Sequence, residues 1–271
     1  MSLKVVCKVF NYTRQGYYKH IHLEEMRKEQ NEQVLSFVQE VRHTQTKVGT
    51  LKLHKMLIWT AKPILRIGRD RLSELLRDHK MLIYKKGRKP KTSIPNPSAP
   101  VYPNLLEGVK ADYVNQAWVA DITYLKTLEG DAYLFLLTDL YSRHIIGYKV
   151  ASNMKAVHAC QILKKAISRV SDPSKIIHHS DRGSQYSSKE YQRIISQYKM
   201  LPSMTGHRRC LDNPVAERVN GILKDEFGLS ETLPSLKVAQ ELVSDAVDIY
   251  NCKRLHKSLQ YNTPHAVYNA A

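Results

Sequence analysis

Three apolar stretches follow one another closely between residues 117 and 152, and they constrain the fold of this chain more than any other feature. They read AWVADITYL, AYLFLLTDLYS and HIIGYKVAS, and each is rich in the β-branched and aromatic residues that favour strands. A turn signal at Glu129, Gly130 and Asp131 separates the first two stretches. The pattern therefore predicts three consecutive strands that form an antiparallel meander.

The remainder of the C-terminal part alternates helical and extended patterns. Residues 156–170 place their apolar side chains on one helical stripe, and KIIHHSD resumes strand character. Further helices are expected at about 188–198, from Pro214 onwards with Asn213 as the N-cap, and at about 236–250. These elements predict an α/β fold in which helices flank a mixed sheet.

The first 84 residues carry a helical pattern only. Apolar residues recur at helical spacing in 23–41, 49–60 and 68–79, and the last segment places Leu72, Leu75 and Leu76 on one face. We expect a small all-α domain at 1–84 with a helix-turn-helix-like pair that binds DNA, although such pairs also occur in proteins that never touch DNA. A basic, proline-rich linker at 85–112 separates it from a second domain at 113–271.

The charge of the chain indicates an acidic partner. Its 42 Lys and Arg residues face 25 Asp and Glu residues, which gives a net charge of +17. A surplus of this size favours DNA through counterion release, whereas a surface that only maintains solubility is the alternative. In the linker Lys85, Lys86, Arg88 and Lys89 are candidate DNA-binding residues, and a solvated spacer is an equal interpretation.

Neither the membrane nor the secretory pathway is indicated. The longest apolar run is far shorter than the roughly 18 residues of a membrane span, and the N-terminus leads to no small-residue cleavage site. The four cysteines lie far apart without a C-x-x-C pair, which argues against a zinc module or a disulfide framework. We therefore expect a cytoplasmic protein with reduced thiols.

Three acidic residues stand at unusual positions. Asp121 lies in a strand that is apolar on both faces, Asp181 ends the strand KIIHHSD, and Glu217 shares the polar stripe of a helix with Lys224. An ionised carboxylate in an apolar setting is costly unless it is paired or bound to a metal. Taken singly, each acid has an ordinary alternative: a satisfied polar group in the core, or a solvated helix face.

As a set, these residues resemble a known signature. Between Asp181 and Glu217 lie 35 residues, and Lys224 follows seven positions after Glu217. This spacing resembles the DD(35)E signature of DDE transposases and retroviral integrases. Four segments at roughly 110–267 resemble, in order, the OrfB transposases of bacterial insertion sequences: WVADITYL, HHSDRGSQYSS, DNPVAERVNGILKDE and YNCKRLHKSLQYNTP.

The resemblance implies a fold, a site and a reaction. It implies an RNase H-like integrase catalytic core with a C-terminal helix at 113–271, and a catalytic triad of Asp121, Asp181 and Glu217 that holds two Mg²⁺ or Mn²⁺ ions. Hard oxygen ligands suit these cations. Water would cleave DNA at the end of the element, and the freed 3′-hydroxyl would attack another phosphodiester. Lys224 would contact DNA near the cleaved phosphate.

The resemblance also implies partners: insertion-sequence ends and target DNA, a homo-oligomer, and fusion to or partnership with an upstream-frame helix-turn-helix protein. It places the protein at the nucleoid of a bacterium. Two other functions remain open at this stage. One is a catalytically inactive or repurposed sequence-specific DNA-binding protein, and the other is a nuclease that only hydrolyses DNA.

Overall fold

A computed structural model describes residues 3–60, 62–83, 102–206 and 213–270. The chain divides into two compact units between Lys86 and Gly87. The described helices of the first unit are α1 (Leu3–Val9), α2 (Arg14–Thr44), α3 (Thr50–Trp59) and α4 (Arg69–Asp78). None of the helices in the described ranges has both the length and the apolar character needed to cross a membrane.

The first unit is built on the three predicted helices, which are confirmed. Its core lies where the second half of α2 meets α3 and α4, and the fully buried side chains include Val34, Leu53 and Leu72. Helix α2 begins earlier than its apolar pattern indicates, because Thr13 caps it by accepting a hydrogen bond from the Gly16 N–H at 2.9 Å. This capping extends the helix without burying more apolar surface.

The second unit contains a five-stranded mixed sheet with helices on both faces. Its strands are β1 (Ala117–Thr127), β2 (Gly130–Asp139), β3 (Ile145–Ala151), β4 (Ile177–Ser180) and β5 (Leu201–Met204). Its helices are α5 (Ala156–Ile167), α6 (Lys189–Gln197), α7 (Pro214–Glu226), α8 (Leu236–Cys252) and α9 (Pro264–Asn269).

The strand order is β3-β2-β1-β4-β5. Strands β1, β2 and β3 pair antiparallel, which confirms the predicted meander, whereas β4 and β5 are added in parallel. The sequence did not predict β5, which has only four residues and includes Pro202, a residue that a sheet tolerates at its edge. The short helix α9 was also missed.

The two faces of the sheet are covered by different helices, and this arrangement positions the acids. Side chains of Trp118 and Ala120 pack with α5 and α6, whereas Leu125 packs with α7 and α8. Because side chains alternate along a strand, Asp121 shares the face of Leu125 and therefore lies on the side of α7.

Candidate active site

The strand pairing sets Asp121 beside Asp181. Strand β1 pairs with β4 in parallel through Ala117 with Ile177 and Val119 with His179. If this register is continued by two positions, Asp121 lies opposite Asp181, where β4 has just ended. Neighbouring strands are about 4.8 Å apart. Two acids that are 60 positions apart in the chain are therefore neighbours at one end of the parallel pair.

The Asp121 carboxylate is half-buried and held from two sides. Its Oδ2 accepts a hydrogen bond from Nδ2 of Asn220 at 2.6 Å, and its Oδ1 accepts one from the Ile122 N–H at 2.9 Å. Burial, followed by the charge of Asp181 and more weakly that of Glu217, raises the pKa of Asp121 to about 7. Neighbouring negative charges raise the pKa of a carboxyl group because they disfavour its ionised form.

Asp181 is fixed by the turn that follows β4. Its Oδ1 accepts a hydrogen bond from the Gly183 N–H at 2.9 Å. A Cβ at Gly183 would lie 2.8 Å from that same oxygen, so only glycine leaves the carboxylate in its place. Burial raises the pKa of Asp181, and the hydrogen bond from Gly183 opposes part of this rise.

Glu217 lies in the first turn of α7, where its side chain is exposed and its pKa is raised by partial burial. Its carboxylate makes no hydrogen bond to any residue in the described ranges. Among those ranges, no three His, Cys, Asp or Glu side chains are already gathered at metal-binding distance. The structure thus brings Asp121 and Asp181 together, while Glu217 lies nearby on a helix that contacts Asp121 through Asn220.

The chemistry of this cluster fits a divalent cation. For the described residues, the influences on the Asp121 pKa include two negative charges and no positive one. A buried amide oxygen of α7, Oδ1 of Asn220, has no hydrogen-bond partner among the described residues. Carboxylate and amide oxygens are the ligands that hard cations prefer. A cation would neutralise the acids and satisfy groups that the protein leaves unpaired.

Sequence reasoning missed three residues of this site. It did not assign a role to Asn220 or Gly183, although both lie inside motifs that carry the family resemblance, and Asn220 follows Glu217 by three positions on the same helix face. Asn213 was expected to cap α7. It occupies the N-cap position, but its side chain makes no capping bond and instead donates to the Ala120 carbonyl at 3.4 Å.

Of the candidate DNA-binding residues, one lies in the described ranges and four do not. Lys224 is half-buried on α7, two turns beyond Glu217. The linker residues Lys85, Lys86, Arg88 and Lys89 lie outside the described ranges.

Three further side chains of types that can bind metals, on or next to the sheet, have structural roles. Nε2 of His178 pairs with the Tyr191 hydroxyl at 2.8 Å, and Nδ1 of His179 pairs with the Ser203 hydroxyl at 2.8 Å. The carboxylate of Asp139 accepts hydrogen bonds from the N–H and the hydroxyl of Ser142 at 2.8 and 2.6 Å, so it caps the turn after β2. None of these hydrogen bonds places His178, His179 or Asp139 in the acidic cluster.

Known families and proteins resemble this chain in sequence. Two family models, each described as an integrase core domain, match residues 111–210 and 198–264. A 31 kDa protein of insertion element IS600 from Shigella sonnei is 33% identical over 265 residues, which are 96% of both chains. The transposase InsF for insertion sequence IS3A from Escherichia coli K12 is 38% identical over 159 residues, which cover 58% of this chain and 55% of InsF.

A solved structure shares the fold. The cryo-EM structure of the simian T-cell lymphotropic virus intasome in complex with PP2A regulatory subunit B56 gamma matches with a TM-score of 0.50 at 18% identity, and the match covers 86% of this chain and 74% of the other. At this identity the likeness concerns the fold alone. Together with the observed strand order, it confirms the predicted RNase H-like mixed sheet.

Proposed function

Because this chain belongs to the DDE transposases of bacterial insertion sequences, we propose that it cuts and joins DNA at the ends of such an element in a metal-dependent reaction. The observation that carries the proposal is the meeting of Asp121 and Asp181 at one end of the β1–β4 pair, with Glu217 close enough to raise the pKa of Asp121. A site that concentrates negative charge without a counter-ion is suited to a cation.

Each residue has a distinct role in this proposal. Asp121 and Asp181 bind the cations, and Glu217 completes the set from α7, with an exposed side chain that is free to turn towards them. Asn220 and the Gly183 N–H orient the two aspartates. Two Mg²⁺ or Mn²⁺ ions, when bound, would supply activation of the attacking oxygen and stabilisation of the leaving oxygen at phosphorus.

The proposed reaction has two steps that use the same residues. Water attacks the phosphodiester at the end of the element, and the bond to the 3′-oxygen breaks to leave a 3′-hydroxyl. That hydroxyl then attacks a phosphodiester of the target, so one P–O bond forms as another breaks and no external energy source is needed. Lys224 contacts the DNA near the reacting phosphate, on the same helix as Glu217.

DNA recognition is proposed for the other part of the chain. The α3–α4 pair of the first unit would contact the insertion-sequence ends, with the basic linker following the phosphate backbone. Two ends must be joined, which supports a homo-oligomer, and an upstream-frame helix-turn-helix protein is a further proposed partner. The substrate places this activity in the bacterial cytoplasm, at the nucleoid.

The decisive experiment replaces Asp181 by Asn. Loss of a group that only orients a metal ligand costs about 10- to 100-fold in activity, so we expect loss of the ligand itself to cost more than about 100-fold in both cleavage and joining. DNA affinity should remain nearly unchanged. The assay is Mg²⁺- or Mn²⁺-dependent cleavage and strand transfer on an oligonucleotide that contains the end of the element, with binding measured in parallel.

The matched control is Asp172→Asn, at an exposed aspartate that caps a short turn and that asparagine can replace. This control should keep full activity. A fully active Asp181→Asn variant would refute the metal role. For the wild-type protein, nicked DNA without joined products would support the hydrolytic nuclease. DNA binding without either reaction would support the repurposed DNA-binding protein.

A further inference from the structure

A cavity of about 930 Å³ lies within the second unit, and parts of its lining come from the elements that carry Asp121 and Glu217. One wall is formed by Val119, which lies two residues before Asp121 on β1 and faces the same side of the sheet. Another wall is formed by Asn213, Pro214 and Val215, at the beginning of the helix that carries Glu217. The cavity therefore shares part of its lining with β1 and α7, the elements that carry Asp121 and Glu217.

The walls combine apolar and polar surface. Val119, Leu140 and Leu259 supply aliphatic side chains, and Tyr141 adds a half-buried aromatic ring. Aromatic rings are common platforms for stacking unpaired bases, and base–aromatic stacking tolerates any base. A volume of this size lies in the usual range for small-ligand pockets, so a whole nucleotide fits.

The charge of the walls favours a phosphate. Among the described residues that line the cavity, Lys110 and Arg143 are positive and Glu107 is the acid. Arg143 is half-buried, and its Nη1 is a buried donor with no hydrogen-bond partner among the residues that the structure describes. Asn213 is only 6% exposed, and its Oδ1, an acceptor that suits an N–H of a base and not a phosphate, has no partner among the described residues. Buried polar groups without partners are uncommon, and they require an explanation such as a bound ligand.

We propose that this cavity binds one unpaired nucleotide of the DNA strand that crosses the active site. Its base packs on Tyr141 and the aliphatic wall, and its phosphate lies towards Lys110 and Arg143. This inference rests on the proposed function, because it makes the cavity a neighbour of the reacting phosphate. It adds that the protein requires locally unpaired DNA beside the cut and grips the released nucleotide.

The test compares the binding of two DNA probes without divalent cations, so that no strand is cut. One probe is a blunt duplex, and the other is the same duplex with three unpaired nucleotides at one end, the first of which is the fluorescent base 2-aminopurine. We expect the wild-type protein to bind the second probe more tightly by roughly 5- to 100-fold, the value of one stacked base. The fluorescence of 2-aminopurine should change when this base enters the cavity.

Two variants probe the cavity separately. Tyr141→Leu removes the stacking ring, and Lys110→Gln removes an exposed charge whose loss cannot disturb the core. Each should reduce the preference for unpaired DNA to within about 2-fold while the affinity for the blunt duplex stays the same. The matched controls are Tyr198→Leu and Lys164→Gln, which change exposed residues of the same types outside the cavity.

Equal affinity of the wild-type protein for both probes would overturn the proposal, as would variants that behave like their controls. This failure is separable from failure of the proposed function, because binding is measured without turnover. A protein that cleaves DNA with Mg²⁺ but shows no preference for unpaired DNA would refute the cavity alone. A protein with the preference but no cleavage would refute the strand-transfer reaction alone.

Discussion

Two uncharged groups decide how the acids are presented. Asn220 holds one oxygen of Asp121, and the Gly183 N–H holds one oxygen of Asp181. Neither group carries a charge. Their contribution is orientation, because a carboxylate whose rotation is restricted loses less freedom when it binds a metal.

Gly183→Ala tests this role at a single residue. The new Cβ would lie 2.8 Å from Oδ1 of Asp181 and 3.1 Å from Oε1 of Gln185, so the carboxylate must turn away. We expect metal-dependent cleavage to fall by about 10- to 100-fold, with a higher Mg²⁺ concentration needed for half-maximal rate. The measurement is cleavage rate against Mg²⁺ concentration.

Gly68→Ala serves as the control, since a Cβ at Gly68 has nothing within 4 Å. It should leave both the rate and the Mg²⁺ dependence unchanged. If Gly183→Ala had the wild-type Mg²⁺ dependence, the turn after β4 would not determine the position of Asp181.

At the level of elements, helix α7 is held at its middle and at its end. Its central residue Asn220 donates to Asp121, and its last residue Glu226 forms a bidentate ion pair with Arg254, with both N–O distances at 2.7 Å. Nη1 of Arg254 also lies 2.9 Å from Nε2 of His256. The C-terminal segment YNCKRLHKSLQYNTP therefore supports the helix that carries Glu217, which gives this motif a structural function.

Arg254→Met should destabilise the second unit by about 3 kcal/mol or more, because it removes the bidentate ion pair that the buried Arg254 makes with the largely buried Glu226. Arg254→Lys should recover only part of this loss, since a lysine cannot form the bidentate pair. The measurement is the free energy of unfolding in urea, taken from the transition of the second unit.

The comparison is Arg69→Met, which breaks an ion pair with Asp70 in which both side chains are well exposed. Its effect on the transition of the first unit should be below about 1 kcal/mol. Equal losses in the free energy of unfolding for the two substitutions would show that burial does not increase the contribution of the Arg254–Glu226 pair to stability.

For the whole molecule, the two units and the distribution of charge suggest a division of labour. The acids belong to the second unit, whereas most of the net charge of +17 lies in the first 110 residues. A separate recognition domain and linker would let specificity and chemistry reside in different parts of the chain.

Removal of residues 1–90 tests this division. We expect the shortened protein to lose its preference for the ends of the element over unrelated DNA, because the helical unit that would read them is absent, while metal-dependent nicking remains. Competition binding with both DNA types measures the preference. Retained preference would place recognition in the second unit.

A linker variant provides the contrast. Replacing Lys85, Lys86, Arg88 and Lys89 by Gln should weaken binding to both DNA types equally. The slope of log affinity against log salt should become shallower by about 0.9 for each phosphate that the linker no longer neutralises. A weakening confined to the ends of the element would instead assign base recognition to the linker.

The elements followed from the sequence to different degrees. Strands β1 to β3 and helices α3 and α4 match their apolar patterns closely, since alternation and helical spacing are local properties of the chain. Strand β5 escaped because its four residues are defined by pairing with β4 rather than by a pattern of their own. The Asn213 side chain does not cap α7, because it donates a hydrogen bond to the carbonyl of Ala120, a residue 93 positions away that no local pattern relates to it.

The sequence by itself determined the candidates for the proposed chemistry: two aspartates and a glutamate at a recognisable spacing, placed on elements that short-range periodicity defines. Only the tertiary structure decided which groups meet. Asn220 reaches Asp121 across 99 positions, and the β1–β4 register brings Asp181 beside it. These contacts, and the cavity next to them, arise from packing between distant segments, which no local pattern records.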